Sequence, residues 1–264
     1  MNQLESTISR PKQTKINQIL QKLPKSVVAT SQWLNQEGLD KRSAYKYEKQ
    51  SNWLESIGIG AYKRYGDAIT WQGGIHAIQK QLGLDIHVGA KTALELQGKA
   101  HNISFNETNT FLFTSDKANL PKWFRDYNWQ SKCTLVKSQF LGKDIGLKEF
   151  DTGNFAITIS SPERAILETL YQVPKEQDFQ EAYYLTESLA DIRPKLMQAL
   201  LEECKSIKVK RLFLFLAQKA NLPVLKKLEL KKIDLGSGKR VIVKGGKLDS
   251  NYGITYPKGF QINE

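Results

Sequence analysis

The stretch from Thr30 to Arg64, TSQWLNQEGLDKRSAYKYEKQSNWLESIGIGAYKR, restricts the fold more than any other part of the chain. Two short amphipathic segments flank a Gly-Leu turn, and two apolar extended runs spaced by Gly58, Ile59 and Gly60 come after them. In the first segment Thr30 or Ser31 is placed to cap a helix that packs Trp33 and Leu34 inward and stops at Gly38. In the second, Asp40 is placed to cap KRSAYKYEKQS by accepting a backbone N–H from its first turn. Helix, glycine turn and helix make a helix-turn-helix, and the glycine-spaced runs predict a tight hairpin, that is, a wing. Upstream, TKINQILQKLP carries Ile16, Ile19, Leu20 and Leu23 at helical spacing. With Thr14 as N-cap and Pro24 just past its end it predicts a first helix, and SVVAT a brief extended run.

At 100° per residue the KRSAYKYEKQS helix sorts into two faces, with Arg42, Tyr45, Lys46 and Lys49 on one and Ala44, Tyr47 and Ser51 on the other. A short helix with a polar outer face is able to enter a major groove about 12 Å wide. Arg42 suits a guanine edge or a phosphate, Lys46 and Lys49 suit phosphates, and Tyr45 can donate its hydroxyl while packing on sugar or methyl groups. Lys63 and Arg64, at the end of the wing, suit the flanking backbone or minor groove. The expected partner is therefore double-stranded DNA, contacted by Lys41, Arg42, Ser43, Tyr45, Lys46, Lys49, Lys63 and Arg64. Any one of these lysines taken alone is more often simply solvated; the expectation rests on helix-turn-helix, wing and basic face as a unit.

The charge distribution agrees with a polyanionic partner. The net charge of +12 is gathered at the two ends: residues 1–68 carry 11 Lys and Arg against 6 Asp and Glu, and residues 199–264 carry 14 against 6. The middle, 69–198, is nearly balanced at 14 against 15. Two basic surfaces on a neutral body fit nucleic acid or another acidic partner. Near the C-terminus the basic residues are Lys205, Lys208, Lys210 and Arg211, then Lys226, Lys227, Lys231 and Lys232, then Lys239 and Arg240. Phe213 and Phe215 lie in the apolar run LFLFLA, where burial is favoured over a base-stacking platform, so this face reads as a partner surface.

The rest of the chain reads as an α+β protein of two domains. Residues 1–12 are expected to be disordered or frayed, 13–68 to form the winged helix-turn-helix, and 69–264 a larger mixed α/β domain. DAITWQGGIHAIQKQLG, with Ile69, Ile75, Ile78 and Leu82 as its stripe, is expected to lead from one to the other. Beyond it TFLFTS, CTLVKS and FAITIS predict strands, and SSPERAILETLYQV a helix with Pro162 at its first position. DFQEAYYLTESL, RPKLMQALLEECK and KVKRLFLFLAQKAN predict a helical segment. KRVIVKGGKLD, turning at Gly245-Gly246, predicts a C-terminal β-hairpin with NYGITYP beside it.

No enzymatic site is legible. GSGKR lacks the spacing and the following helix of a phosphate loop, and neither GxSxG nor GxGxxG is present. Two acidic-x-Lys steps, at Glu203-Lys205 and Glu229-Lys231, fall within what composition alone supplies. Cys133, Cys204, His76, His87 and His101 are scattered, giving neither a zinc site nor a disulfide framework, so no metal or cofactor is expected. In SSPERAILE, Glu163 and Arg164 stand in a first helical turn and read as structural. The chain has no run of about 18 apolar residues and no secretory leader, which makes the cytoplasm its expected place and a membrane an unexpected partner.

LPKSVVATSQWLNQEGLDKRSAYKYEKQSNWLESIGIGAYKR, TWQGGIHAIQKQLGLDIHVGAKTALELQG, SSPERAILE and the closing IDLGSGKRVIVKGGKLDSNYGITYP resemble the AbiEi family of type IV antitoxins. The resemblance implies an N-terminal winged helix that represses its own operon at inverted repeats, reading DNA through Lys41–Gln50 with a wing at Ile57–Arg64. It also implies a basic C-terminal surface that neutralises a nucleotidyltransferase-like toxin. On this chain that surface is assigned to Lys205, Lys208, Lys210, Arg211, Lys226, Lys227, Lys239 and Arg240, and a monomer in solution is expected. Two other readings are a nucleic-acid-processing enzyme with a nuclease-like large domain, and a transcription regulator whose large domain senses a ligand or protein without any toxin.

Overall fold

The computed structural model describes residues 14–100, 109–115 and 117–262. The segment 1–12, expected to be irregular, and His101 lie outside the described residues. Helix α1 (Lys15–Lys22) buries Ile16, Ile19 and Leu20; Thr14 occupies the N-cap position without a side-chain cap bond. Strand β1 (Ala29–Thr30) leads directly into α2 (Ser31–Gln36), whose cap is Thr30: its hydroxyl accepts the Trp33 N–H. The chain then turns through Gly38 and Leu39, whose N–H groups return to Asn35 and Leu34 carbonyls and close α2. Next come helix α3 (Lys41–Lys49), β2 (Leu54–Gly58) and β3 (Ala61–Arg64). The three strands form a sheet in the order β1-β3-β2. This is a winged helix-turn-helix, with the Gly58–Gly60 turn at the wing tip.

Helix α4 (Trp71–His76), capped by the Thr70 hydroxyl, runs on into a π turn (Ala77–Gln81) that carries two glutamines acting as stitches. Gln81 accepts the Thr30 N–H at 2.8 Å and donates to the Val28 carbonyl at 2.7 Å, occupying backbone groups of β1 and its approach. Gln79 does the same for β8 (Ala156–Ser160), accepting from the Thr158 N–H at 2.9 Å and donating to its carbonyl at 3.0 Å. Buried backbone groups need partners, and here two side chains supply them in opposite directions, so this segment packs on the winged helix on one side and on the larger domain on the other.

The larger domain is built on a five-stranded sheet in the order β6-β5-β4-β8-β7, made of β4 (His87–Val88), β5 (Asn109–Thr114), β6 (Lys132–Lys137), β7 (Leu147–Asp151) and β8. Strand β4 is antiparallel to β5 and parallel to β8, β5 and β6 are parallel, and β7 closes the far side antiparallel to β8. The short β4 and the polar β7 carry too little apolar alternation to stand out in the sequence. Helices α5 (Ala90–Leu96) and α7 (Pro162–Gln172) pack on this sheet, and α8 (Phe179–Glu187), α9 (Pro194–Glu203) and α10 (Ile207–Lys219) pack around α7. Helix α7 is buried along nearly its whole surface, Glu163, Arg164 and Glu168 included.

Those buried charges are paired. Glu163 receives Arg193 at 3.0 Å, and Glu168 receives Arg164 Nε at 2.8 Å and His87 Nε2 at 2.9 Å. Burial by itself would raise both carboxyls, yet Arg193 around Glu163, and His87, Arg164 and Ser160 around Glu168, hold each down at about 2. A carboxylate whose folded pKa lies below its unfolded value of about 4.3 stabilises the fold above that value and loses its contribution as the pH falls through the folded one. The urea midpoint is therefore expected to stay level above pH of about 5 and to decline between about 4 and 2, with a shallower decline in Glu163→Gln; equal profiles for the two proteins would sink the assignment.

The C-terminal hairpin differs from the expected one. Strands β9 (Lys247–Asp249) and β10 (Ile254–Tyr256) pair across the turn at 250–253, whereas Arg240 makes only an isolated bridge to Ile254. The Thr255 hydroxyl takes the N–H groups of Ile242 and Val243 and donates to the Val243 carbonyl, replacing a ladder with one side chain. KRVIV thus folds against the hairpin without forming its first strand.

Candidate nucleic-acid interface

Helix α3 is set by Asp40, whose carboxylate accepts the Ser43 N–H at 2.7 Å. That backbone bond, with a second contribution from the Ser43 hydroxyl, holds the Asp40 carboxyl below its ordinary value, so the cap is charged and complements the positive end of the helix. Ala44 is the one buried residue of the helix and faces the core, while Lys41, Arg42, Tyr45, Lys46 and Lys49 are exposed. Tyr45 is 58% exposed. Among the described residues Lys41, Arg42 and Lys46 make no salt bridge. Lys49 lies 2.9 Å from Glu48, which raises its pKa and partly offsets its charge. Ser43 is half-buried, its N–H committed to the cap.

The wing residues are placed otherwise than expected. Arg64 Nη2 donates to the carbonyls of Leu20 and Leu23 at 2.6 and 2.8 Å, satisfying the end of α1. Lys63 is half-buried beside Glu55 at 3.1 Å. Both cations are engaged within the small domain. The most exposed apolar residue of the wing is Ile59, 85% accessible at its tip. At its base Trp53 and Tyr65 are also exposed, next to a groove of about 630 Å³ that Asn17, Gln21, Lys25 and Asn52 help to line. Sequence reasoning gives neither aromatic residue a role; their position at the ends of apolar strands disguises them as core.

The wing is anchored from behind. Helix α6 (Lys122–Asp126) packs on β2, and a Cβ at Gly58 would stand 3.0 Å from Trp123 Cβ and 3.2 Å from its Cα. With φ of +151° as well, this position rejects side chains twice over. Gly58→Val is expected to cost about 1–3 kcal/mol of stability, measured as a fall in the urea midpoint; an unchanged midpoint would mean that α6 does not seat the wing.

The basic C-terminal residues separate into two groups. Lys210 and Arg211 depart from the expected surface, since both are buried. Arg211 donates to the carbonyls of Leu235, Gly236 and Gly238, and Lys210 to that of Asp234, so together they hold the 234–238 loop. Their place in the stretch VKRLFLFLA, otherwise apolar all round, is the available signal. Lys208 is half-buried and donates to the carbonyls of Tyr171 and Val173 at 2.6 and 2.7 Å; burial, with Lys175 nearby, lowers its pKa to about 8. Lys205, Lys226, Lys227 and Lys239 are exposed, and Arg240 is half-buried.

No three His, Cys, Asp or Glu side chains converge to hold a metal among the described residues, and no helix among them is long and apolar enough to cross a membrane. Residues 12–105 match the family model described as "Transcriptional regulator, AbiEi antitoxin N-terminal domain", and residues 107–257 match "Transcriptional regulator, AbiEi antitoxin, Type IV TA system". No curated protein matches the chain in sequence. Among solved structures, the Rv2827c protein from Mycobacterium tuberculosis is similar with a TM-score of 0.63 at 13% identity, covering 90% of this chain and 88% of that one. At that identity the likeness is one of fold.

Proposed function

Because the chain belongs to the AbiEi family of type IV antitoxin transcriptional regulators, we propose that it represses its own operon by binding inverted repeats through α3, and that it neutralises a nucleotidyltransferase-like toxin. The observation that carries the DNA half is α3 itself. It is a capped helix with Ala44 inward and Lys41, Arg42, Tyr45 and Lys46 outward. The reading set is Lys41, Arg42, Tyr45 and Lys46, with Lys49 partly offset by Glu48 and Ser43 serving the cap. The division of labour proposed is DNA reading by 13–68 and partner binding by 69–264, with the exposed Lys205, Lys226, Lys227 and Lys239 and the flanking Arg240 on the partner face. Lys63, Arg64, Lys210 and Arg211 leave these sets because the fold uses them. The protein acts by binding and without catalysis, as a monomer in the cytoplasm that is brought together with a second copy by the two halves of a repeat.

The test has two separable arms. Binding to the chain's own upstream duplex and to a scrambled duplex across a salt series addresses repression, because phosphate contacts appear as salt dependence and base contacts as the difference between duplexes. Growth of cells expressing the product of the adjacent gene, with and without this protein, addresses neutralisation. Equal affinity for both duplexes removes the repressor reading, and growth arrest unrelieved by the protein removes the antitoxin reading.

A further inference from the structure

Strand β6 ends the five-stranded sheet, and its outer edge is open. The ladder with β5 fixes which of its backbone groups face outward. Thr114 stands opposite Lys137, and the Ser138 N–H donates to the Thr114 carbonyl at 3.0 Å. In a parallel ladder alternate residues of each strand serve the neighbour. Thr134, Val136 and Ser138 therefore turn their N–H and C=O toward β5, and Cys133, Leu135 and Lys137 turn theirs away. Among the described residues no hydrogen bond takes up the outward backbone groups of Cys133 or Leu135.

Proteins usually blunt such an edge with lysine, proline, a bulge, inward charge or a covering element, and of these β6 has lysine at its two ends. The six residues KCTLVK have no proline, and the register with β5 is unbroken. Alongside the edge runs an open groove of about 730 Å³, lined by Leu135, Val136, Tyr171, Lys208 and Ile242, with Val241 on its rim at 70% exposure. Its floor is apolar and its charge is positive: Lys175 and Lys208 stand against Glu176 alone, and Lys132 and Lys137 mark the two ends of the strand.

We propose that the β6 edge is a docking site for an extended acidic segment of a protein partner, which adds to the sheet as a sixth strand. The outward backbone groups of Cys133, Leu135 and Lys137 supply the ladder, the groove receives alternate apolar side chains, and Lys132 and Lys175 meet the acidic ones. A second copy of this chain is a poor occupant. Pairing of two β6 edges gathers Lys132 and Lys137 of both copies along one seam, with no acidic residue in KCTLVK to offset them, and like charges brought together across strands are destabilising. This proposal goes beyond the antitoxin reading and holds whether or not the partner is a toxin.

The probe is a fluorescein-labelled seven-residue peptide of alternating valine and glutamate, titrated against the full chain. Saturable binding is expected, weakened about tenfold or more by Lys132→Glu or Lys175→Glu, which corresponds to about 1.4 kcal/mol. Binding is expected to vanish in Leu135→Pro, which removes an outward N–H, and with the same peptide N-methylated at every amide. The methylated peptide asks the same question of the unaltered protein should Leu135→Pro fail to fold. Equal binding of the methylated peptide, absence of saturation, displacement of the peptide by duplex DNA, or self-association of the chain abolished by Leu135→Pro would each overturn the proposal.

Discussion

Glu168→Ala is expected to lower the free energy of unfolding by about 3–5 kcal/mol, the effect of leaving buried charge without its partner. Four donors converge on this one carboxylate. Its Oε1 accepts from His87 Nε2 and Arg164 Nε, and its Oε2 accepts from the Ala90 N–H at 3.0 Å and the Ser160 hydroxyl at 2.7 Å. The site has been shaped for the carboxylate. A Cβ at Gly89 would stand 2.3 Å from Oε2, and Ala90 is held at φ of +47°, where its N–H can reach that oxygen. Through these bonds α7 is joined to β4, β8 and the start of α5 at once. Arg164 also donates to the carbonyls of Gly142 and Ile145 at 2.7 Å, so removing Glu168 unsettles the 142–145 loop as well. Urea unfolding of wild type, Glu168→Ala and Glu168→Gln checks this. The glutamine variant keeps the shape but turns an amide donor toward donors, and should be destabilised too. A loss under about 1 kcal/mol for Glu168→Ala would mean that the network is dispensable.

The second large effect concerns α3. Arg42→Ala is expected to weaken binding to the chain's own operator by about 1–3 kcal/mol and to relax discrimination at a single base pair. Lys46→Ala is expected to weaken all duplexes alike and to lower the slope of log affinity against log salt by about 1. The two differ because a guanidinium can grip a base edge with two parallel bonds, while an ammonium acts on phosphate as a point charge. Both side chains are exposed on a helix whose packing depends on Ala44, so neither change should alter the free energy of unfolding by more than about 0.5 kcal/mol. Wild-type affinity and salt slope in both variants would assign DNA binding to another surface. Arg64→Ala supplies the contrast: its loss should appear in stability, since its guanidinium closes α1.

Local signals carry the winged helix-turn-helix well. Asp40 and Thr30 cap the helices that the sequence assigns to them, and Ala44 faces inward as the 100° periodicity requires. These features depend on neighbours within a turn or two of chain, so the sequence displays them directly. Helix α7 is legible for the same reason, with Pro162 at its start.

Charged residues are the less legible part, because a basic side chain looks the same in sequence whether it meets water, a phosphate or a carbonyl. Arg64 reads in sequence as a wing contact and instead lies on Leu20 and Leu23, more than 40 positions away. Arg211 reads as partner surface and instead holds the loop at 235–238. In both, the deciding group is a main-chain carbonyl left unpaired at the end of a helix or in a loop, and backbone carbonyls have no sequence signature. The Glu168 network joins two stretches, 87–90 and 160–168, that lie about 70 positions apart in the chain.

The sequence by itself determined most of the elements, namely capped amphipathic helices, a glycine-turned wing and the apolar strands β5, β6 and β8, and an excess of positive charge at both ends. Tertiary structure decided which cations remain free to meet a partner, which edge of the sheet stays open, and how the winged helix is joined to the body through Gln79, Gln81 and Trp123. The physical reason is range. Capping and periodicity act over a few residues, whereas desolvation and hydrogen-bond satisfaction depend on whatever the folded chain brings alongside.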